Sequence, residues 1–349
     1  MAGLTSFGND LYTGARSIDF IKRRRLWYLV SGIAVILAIV LPTLVLPQIG
    51  RGFQFGIEFT GGSQFTITNS SRDLNDDQIA IDAVQSVTGT EVTPLVAVVG
   101  GDAVRIQTSQ LDPTGGGTTN TDRVRAALAD AYGVSNGQVA TSFIGPTWGA
   151  DISASAIRGL IIFLVLVTVV MAVYFRTWKM SVAGLVALFH DLIITAGVYG
   201  IVGFEITPAA VIGFLTILGY SLYDTVVVFD KIRENTAAMG ERPTRTFAET
   251  VNLAVNQTLV RSINTSIVGL LPIASILFIG TTLLGAGTLR DIALALFIGI
   301  IAGTYSTVFV AAPLYVDLRS REPRIRALDA RALAARGQDA RPLEPTAAG

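Results

Sequence analysis

Cysteine is absent from the sequence, and the 349 residues include only one histidine. The missing cysteines exclude a disulfide framework, a thiolate nucleophile and a cysteine metal site. A lone histidine likewise excludes a histidine-rich metal cluster. Charged residues are scarce as well, at 15% of the chain against about 25% in an ordinary soluble domain. We therefore expect neither a metal site nor a cofactor.

The chain also lacks an excess of positive charge, because its 26 basic residues balance 26 acidic ones. This balance argues against a nucleic-acid-binding protein. Hydrophobic residues make up 51% of the chain, and the mean hydropathy is +0.56, which excludes a disordered or purely soluble protein. The composition therefore predicts an α-helical polytopic membrane protein.

Six apolar segments are long enough to cross a bilayer, which requires about 20 residues per helix. They lie at 26–49, 156–176, 180–203, 208–230, 259–280 and 289–316. The first segment is too long and apolar for a cleavable signal sequence, and no clear A-x-A cleavage site follows it. We therefore predict that it is an uncleaved anchor.

Four basic clusters adjoin these segments and indicate the orientation in the membrane. They are Lys22–Arg25, Arg176 with Lys179, Lys231 to Arg245, and Arg319 to Arg326. Since basic residues favour the cytoplasmic side, segment 1–25, loop 231–258 with an amphipathic helix, and the partly disordered tail 317–349 are predicted to be cytoplasmic. The insert 50–155 is then extracytoplasmic, with five arginines against eleven acidic residues.

The insert has the length of one independent domain. After a strand at 53–59, the pattern predicts strands and helices in the order β-α-β-β-α-β, at 64–68, 74–87, 94–99, 103–108, 121–132 and 139–144. Asn75 is the expected N-cap of the first helix, and Gly100–Gly101 indicates a hairpin. The glycine-rich stretch 112–120 lacks a Walker motif and reads as a flexible loop. The order predicts an α+β ferredoxin-like domain.

Ionisable residues within the predicted spans are functional candidates, because burying them in lipid is costly. His190 and Asp191 lie in the third span and Asp224 lies in the fourth, on one helical face with Tyr220. Desolvation and a nearby cation change the proton affinity of such a carboxyl in opposite directions. Asp224 therefore suits a proton relay, although a structural polar contact between helices is also compatible with the sequence.

Arg261 stands at the inner end of the fifth span, with Thr265 on its helical face. It is either a counter-charge for Asp224 or an interfacial arginine that reaches lipid headgroups.

His190 and Asp191 are about 100° apart on a helix and cannot both face one partner squarely. The histidine suits proton transfer, and a buried neutral histidine is equally compatible. In the sixth span, Ala295, Gly299, Gly303 and Thr307 form a small-residue surface for close helix packing.

The motifs resemble the SecF family, whose members are accessory subunits of the bacterial Sec translocase. The most specific match runs from Gly219 through Ser221, Asp224, Asp230 and Arg233 to Asn235. Further matches are Gly56–Gly62 with the pair Gly61–Gly62, His190–Asp191, Asn256–Ser266 and Gly303–Phe309, in the family's order. Departures include Glu58 in place of Asp, and Tyr223 where the family commonly has Asn beside the acid.

The resemblance implies six helices that form half of an RND-superfamily bundle and pair with the homologous subunit SecD. It implies that the pair assists SecYEG and SecA in moving unfolded preproteins across the bacterial cytoplasmic membrane, driven by the proton-motive force. Asp224 then corresponds to the family's proton-accepting acid and Arg261 to its coupling arginine. No nucleic-acid partner and no enzymatic activity are implied.

Three other functions remain open from the sequence. An RND-type exporter of small molecules predicts a second large insert between the fifth and sixth spans, where 281–288 offers only a few residues. A scaffold that merely stabilises the translocon predicts that the charges in the membrane are dispensable. An intramembrane protease would require a pair such as Asp191 and Asp224, but neither carries the Gly-x-Gly-Asp pattern of presenilins.

Overall fold

The structure is a computed structural model. It describes residues 2–49, 52–68, 70, 72–74, 76–99, 103–111, 119–237, 239, 244–280 and 287–339. The predicted hairpin turn at Gly100–Gly101, most of the 112–120 loop, the loop at 281–286 and the end of the tail at 340–349 lie outside the described residues.

Among the described residues, six helices are long and apolar enough to span a membrane, which agrees with the predicted number. Spans one to six are Arg24–Val45, Thr147–Phe175, Trp178–Val202, Pro208–Ala237, Phe247–Ile279 and Leu289–Arg319. The helix that contains span two begins earlier than predicted, at Pro146, a favourable first helical residue. Spans four and five leave only 238–246 between them, so most of the predicted 231–258 loop is helical.

Short changes of helical pitch interrupt three of the spans. The α-helical parts of spans one, five and six are Arg24–Val40, Phe247–Ser275 and Gly287–Ser306, and each continues as a π-helical turn at Leu41–Val45, Ile276–Gly280 and Thr307–Ala311. Pro42 and Pro272 accompany the first two interruptions, since proline removes a helical hydrogen bond. A 3-10 turn, Leu46–Ile49, follows span one, and helix Ala312–Arg319 completes span six. Span four is continuous α-helix from Pro208 to Ala237.

Spans four and six approach each other closely through small residues. A Cβ added at Gly299 would lie 2.3 Å from Ile217, and one at Gly303 would lie 2.8 Å from Ser221. Ala295 contacts the position of Gly213 in the same way, at 2.7 Å. These contacts confirm the predicted small-residue packing surface on span six.

Between spans one and two lies an α/β domain with one four-stranded antiparallel sheet. Its elements are strand β1 (Gln54–Phe55), helix Ile57–Thr60, strand β2 (Gly62–Thr68), helix Asp77–Thr88, strands β3 (Leu95–Val99) and β4 (Ala103–Thr108), helix Thr119–Tyr132, a 3-10 turn (Asn136–Gln138) and strand β5 (Val139–Ile144). The sheet order is β3-β4-β2-β5. β1 pairs separately, with strand β6 (Glu205–Ile206) between spans three and four.

One face of the sheet carries both long helices of the domain. Phe65 and Ile67 of β2 and Val104 and Ile106 of β4 are fully buried against these helices. Burial and the nearby Asp77 and Asp76 raise the pKa of Tyr132 in this core to about 12, so its hydroxyl stays neutral. Because side chains alternate along a strand, the intervening residues Arg105 and Gln107 lie on the opposite face.

Two local predictions in this domain are wrong. The segment 53–59 was expected to be one strand, but only Gln54–Phe55 is extended and Ile57–Thr60 forms a helical turn. Its Gly61 N–H bonds to the Ile57 carbonyl at 2.8 Å, a local bond that replaces strand pairing. The helix expected from residue 74 begins at Asp77, and Asp76 caps it by accepting from Gln78 N at 3.1 Å. Asn75 lies outside the described residues.

The N-terminal segment packs on the first half of span five. Helix Ala2–Thr13 precedes an extended stretch whose amides bond to Asn252 and Asn256. Asn252 Oδ1 accepts from Phe20 N at 2.9 Å and Ile21 N at 3.2 Å, and Asn252 Nδ2 donates to the Ile18 carbonyl at 3.0 Å. One side chain thus satisfies three backbone groups of the segment.

The C-terminal helix, Pro323–Asp339, returns to the same place. Asp329 Oδ1 accepts from Phe247 N at 2.6 Å, and Arg336 donates to both carboxylate oxygens of Glu249 at 2.7 and 2.9 Å. Thr246 and Glu249 also form a capping box at the start of span five. The N-terminal segment and the C-terminal helix therefore hold the same end of span five.

We expect Asn252→Ala to loosen the N-terminal segment. The substitution leaves two backbone N–H groups without their partner, at a cost of about 1–3 kcal/mol. Trypsin should then cut the purified full-length protein faster at Lys22–Arg25. Asn136→Ala, at an exposed position of the α/β domain, is the control and should not change the cleavage rate. Equal cleavage of the two variants would contradict this role of Asn252.

Candidate functional site

Asp191 lies at the centre of a polar network between spans three, four and six. Its side chain is fully buried. Asp191 Oδ2 accepts hydrogen bonds from Ser221 Oγ at 2.5 Å and from Ser306 Oγ at 2.9 Å. A second contact between spans four and six, Thr225 Oγ1 to Thr307 Oγ1 at 2.9 Å, lies one turn further along. The carboxyl group thus joins three helices. Its hydrogen bonds also supply the partners that a buried polar group requires.

His190 contacts both its neighbour Asp191 and Tyr305 of span six. His190 Nδ1 lies 3.2 Å from Asp191 Oδ1, and the imidazole stacks on Tyr305 with ring centroids 5.9 Å apart. The Tyr305 hydroxyl in turn lies 3.0 Å from Ser31 Oγ on span one. Within the described part of the chain, His190 Nε2 is buried and has no hydrogen-bond partner. These contacts connect Asp191 to span one through His190 and Tyr305, with a ring contact between the imidazole and the phenol.

Asp224 is buried in the middle of span four, only 7% exposed. Asp224 Oδ1 accepts a hydrogen bond from Ser262 Oγ of span five at 2.6 Å. Asp224 Oδ2 is buried and has no hydrogen-bond partner among the described residues. One oxygen of the carboxyl is thus held by the neighbouring helix, and the other can take up a proton without breaking a bond.

The direct pairing of Arg261 with Asp224, one of the two sequence-based interpretations, does not appear in this structure. Across the described ranges, no ion pair joins these residues; Arg261 is exposed, and its Nη2 donates to the Tyr223 hydroxyl at 3.3 Å. The reason is the helical rotation of about 100° per residue. Because Ser262 faces Asp224, the adjacent Arg261 points to the side where Tyr223 lies.

Tyr220 and Thr265 also join spans four and five, but through the backbone. The Tyr220 hydroxyl donates to the Thr265 carbonyl at 2.9 Å, above Gly269, where an added Cβ would lie 2.9 Å from the hydroxyl oxygen. The Thr265 hydroxyl donates to the Arg261 carbonyl of its own helix at 2.9 Å. Thr265 is therefore brought near the site without a side-chain bond to Asp224.

The rest of the span-four motif lies at the exposed end of the helix, around a cavity of about 590 Å³ lined by Tyr12, Tyr174, Asp230, Lys231, Glu234 and Arg261, among others. Asp230 Oδ1 accepts from the Tyr174 hydroxyl at 3.4 Å, and Arg233 donates to the Tyr174 carbonyl at 3.2 Å. Asn235 Nδ2 donates to Gln257 Oε1 at 2.8 Å. Arg261 thus lines this open cavity, while its neighbour Ser262 bonds the buried Asp224.

The two glycines Gly61 and Gly62 form a tight junction between the sheet and the helical turn that precedes it. Both have positive φ, 70° and 133°. A Cβ at Gly62 would lie 2.2 Å from the Thr108 carbonyl oxygen. Gly149, at the start of the span-two helix, approaches the backbone of Phe59 so closely that its Cβ would lie 2.7 Å from that carbonyl oxygen. Only glycine fits such a contact between sheet, helical turn and span two.

Sequence reasoning missed Ser262 as the partner of Asp224, and it missed the role of Ser221 and Ser306 on Asp191. A signal was present, because Ser221 stands three residues from Asp224 and Ser262 follows Arg261 directly. Asp191 and Asp224 have separate serine partners, so the pair suggested for an intramembrane protease is not assembled. Glu205, whose carboxylate accepts hydrogen bonds from Arg105 and Gln107 of the α/β domain, was also missed, and no sequence pattern singled it out.

Comparisons with known proteins agree with this architecture. Residues 124–321 match the family described as protein export membrane protein SecD/SecF, C-terminal, and residues 49–68 match the SecD/SecF GG motif. The protein translocase subunit SecF of Streptomyces coelicolor is 42% identical over 344 residues, which cover 97% of this chain and 87% of that protein. SecF of Mycobacterium tuberculosis strain CDC 1551 is 42% identical over 331 residues, covering 93% of this chain and 72% of that protein.

Among solved structures, this chain resembles the crystal structure of SecDF from Thermus thermophilus, described as a translocon-associated membrane protein. The TM-score is 0.70 at 30% sequence identity, and the match covers 88% of this chain and 39% of that one. This chain therefore spans well under half of that longer SecDF protein. With a family model that matches residues 124–321 and with relatives that are 42% identical over 72–87% of their own length, this multi-pass membrane protein belongs to the SecF family of protein translocase subunits.

Proposed function

We propose that this protein works with SecD and uses the proton-motive force to promote export of unfolded proteins across the cytoplasmic membrane. The observation that carries this proposal is the buried carboxyl of Asp224, which has one oxygen bonded to Ser262 and one without a partner among the described residues. Ionisable groups at such positions are typical of proton pathways.

In the proposed mechanism, the protonation state of Asp224 sets the packing of span four against span five. An ionised Asp224 attracts the guanidinium of Arg261, which here rests on Tyr223. Protonation removes that attraction and leaves only the Ser262 bond. One proton that crosses 100 mV supplies about 2.3 kcal/mol, enough to shift two helix arrangements of similar energy.

The proposed topology places both termini, the basic loop 231–258 and the tail 317–349 in the cytoplasm, and domain 50–155 on the opposite side. The distribution of Lys and Arg supports this orientation. The strand order β3-β4-β2-β5, with helices after β2 and β4 on one face, supports a ferredoxin-like fold for the domain.

We propose SecD as the direct partner, with SecYEG, SecA and the emerging preprotein as further partners. Six spans are half of an RND-type bundle, and the related SecDF protein contains this chain's counterpart within one longer polypeptide. Gly219 and Asn264, on neighbouring spans, are exposed, and a Cβ at Gly219 would meet open space. Their side of spans four and five is therefore available to the second half. The proposed role is transport without catalysis and without a cofactor.

Replacing Arg261 tests the coupling. We expect Arg261→Met to lower proton-driven preprotein export in membrane vesicles at least about fivefold, since a displaced charge interaction of about 1 kcal/mol has this size. Arg261→Lys should be intermediate, because a lysine ammonium cannot replace the planar guanidinium. Arg326→Met, at an exposed position of the C-terminal helix, is the control. Full activity of Arg261→Met would favour the scaffold alternative.

A further inference from the structure

A charged side chain and a side-chain amide of the α/β domain bind a carboxylate in the loop between spans three and four. Arg105 Nη1 donates to Glu205 Oε2 at 2.7 Å, and Gln107 Nε2 donates to Glu205 Oε1 at 2.5 Å. Both donors come from β4, on the face of the sheet opposite its helices. Each oxygen of the Glu205 carboxylate thus has its own donor from the central part of the sheet.

This contact is partly shielded from solvent, and a pair of short strands lies beside it. The side chains of Arg105 and Glu205 are 24% and 14% exposed, so their attraction is screened less than that of a surface pair. Beside them, β1 and β6 pair in parallel, with Phe55 opposite Ile206, and Gly56 N donates to the Ile206 carbonyl at 3.0 Å. The domain is therefore bound to the loop by side chains and main chain together.

Glu205 is directly connected to the helix that carries the proton-binding acid. Span four begins at Pro208 and continues without interruption past Asp224, about 24 Å along the helix at 1.5 Å per residue. Thr207 caps its start by accepting from Ala210 N at 3.1 Å, and donates to Asp291 Oδ2 of span six at 2.8 Å. A shift of span four along its axis therefore moves Glu205 with it.

We propose that the contact of Glu205 with Arg105 and Gln107 is the positioning link through which span four moves the α/β domain. This inference rests on the proposed proton-coupled function and adds to it the place where motion leaves the membrane. The link stays closed while span four shifts, because two charge-assisted bonds to one carboxylate are stronger than neutral ones. The junction at Gly61–Gly62 and Gly149 then serves as the second attachment, on span two.

The test uses the absence of cysteine in the chain. Spin labels on cysteines introduced at Leu26, at the start of span one, and at Asn136, in the domain, report their separation in the full-length protein with its partner in nanodiscs. Asp224→Asn, which imitates the protonated acid, should change this distance. The same substitution together with Glu205→Gln or Arg105→Gln should leave the distance unchanged. Glu91→Gln and Arg123→Gln, both exposed in the domain, are the matched controls and should preserve the change.

The outcomes separate this inference from the proposed function. If Asp224→Asn changes no distance with the link intact, the proton-coupled mechanism itself is wrong. If Asp224→Asn acts equally with and without the link, the mechanism stands and the link is refuted. In export assays, we expect Glu205→Gln to lower the rate of proton-driven export about fivefold, the effect of losing one interaction between coupled residues. The amount of the protein in the membrane should not change. Normal export by a folded Glu205→Gln protein would also overturn the inference.

Discussion

Asp224→Asn is expected to abolish the part of preprotein export that depends on the proton-motive force. Asparagine keeps the size of the side chain and its carbonyl can still accept from Ser262 Oγ, which bonds Asp224 Oδ1 at 2.6 Å. The amide cannot ionise, so span four loses its two charge states. The lost driving force is about 2.3 kcal/mol per proton at 100 mV, or about 50-fold in an equilibrium. Export into vesicles with and without an imposed potential measures this loss.

The control for this prediction is Asp151→Asn, an exposed aspartate near the start of the span-two helix. It should respond to the potential as the unmodified protein does. Ser262→Ala removes the hydrogen bond to Asp224 but leaves the carboxyl able to ionise, so part of the potential-dependent export should survive in this variant. Potential-dependent export that survives in Asp224→Asn would show that this acid carries no coupled proton.

Gly62→Ala should unfold the α/β domain or displace β2 from β4. The backbone of Gly62 has φ of +133°, which side chains rarely adopt, and the new Cβ would lie 2.2 Å from the Thr108 carbonyl oxygen. Strain at such a position costs about 1–3 kcal/mol, and the clash with the main chain adds to it. Since a domain has about 5–15 kcal/mol of stability in total, we expect a large loss, measurable as faster hydrogen exchange in β2 and β4.

Gly89→Ala separates the clash from the strain. Gly89 also has positive φ, +74°, but an added Cβ there would meet open space. This variant should therefore cost about 1–2 kcal/mol and keep the domain folded. Equal destabilisation by the two substitutions would mean that φ alone, and not the close approach of Gly62 to Thr108, explains the double glycine.

The site shows how far a sequence pattern can predict contacts. Depth along a helix follows from residue number, so Asp224 and Arg261 were correctly expected near one another on neighbouring spans. Which of two adjacent residues faces the partner depends on helix rotation, and a change of one position turns the side chain by about 100°. Sequence reasoning therefore named Arg261, whereas the side chain that bonds Asp224 is Ser262.

The domain gives a similar comparison. Alternating apolar residues predicted β2, because burial of one face imposes a period of two, and the hairpin signal at Gly100–Gly101 predicted β4. The prediction of one strand at 53–59 was wrong, because this segment makes three different contacts. It forms a short strand paired with the loop between spans three and four, a helical turn, and the junction with span two. The local pattern of apolar residues does not indicate that neighbouring residues will contact different parts of the structure.

The sequence by itself determined the number of spans, the segregation of charge and the limits of most strands. Each of these depends on the transfer of side chains between water and an apolar phase, which composition and spacing already express. Only the tertiary structure decided that Asp191 joins three helices through two serines, that Arg261 rests on Tyr223, and that Glu205 holds the domain. These contacts join residues that are distant along the chain, and short-range directional bonds form only after the packing of the helices has set their rotation.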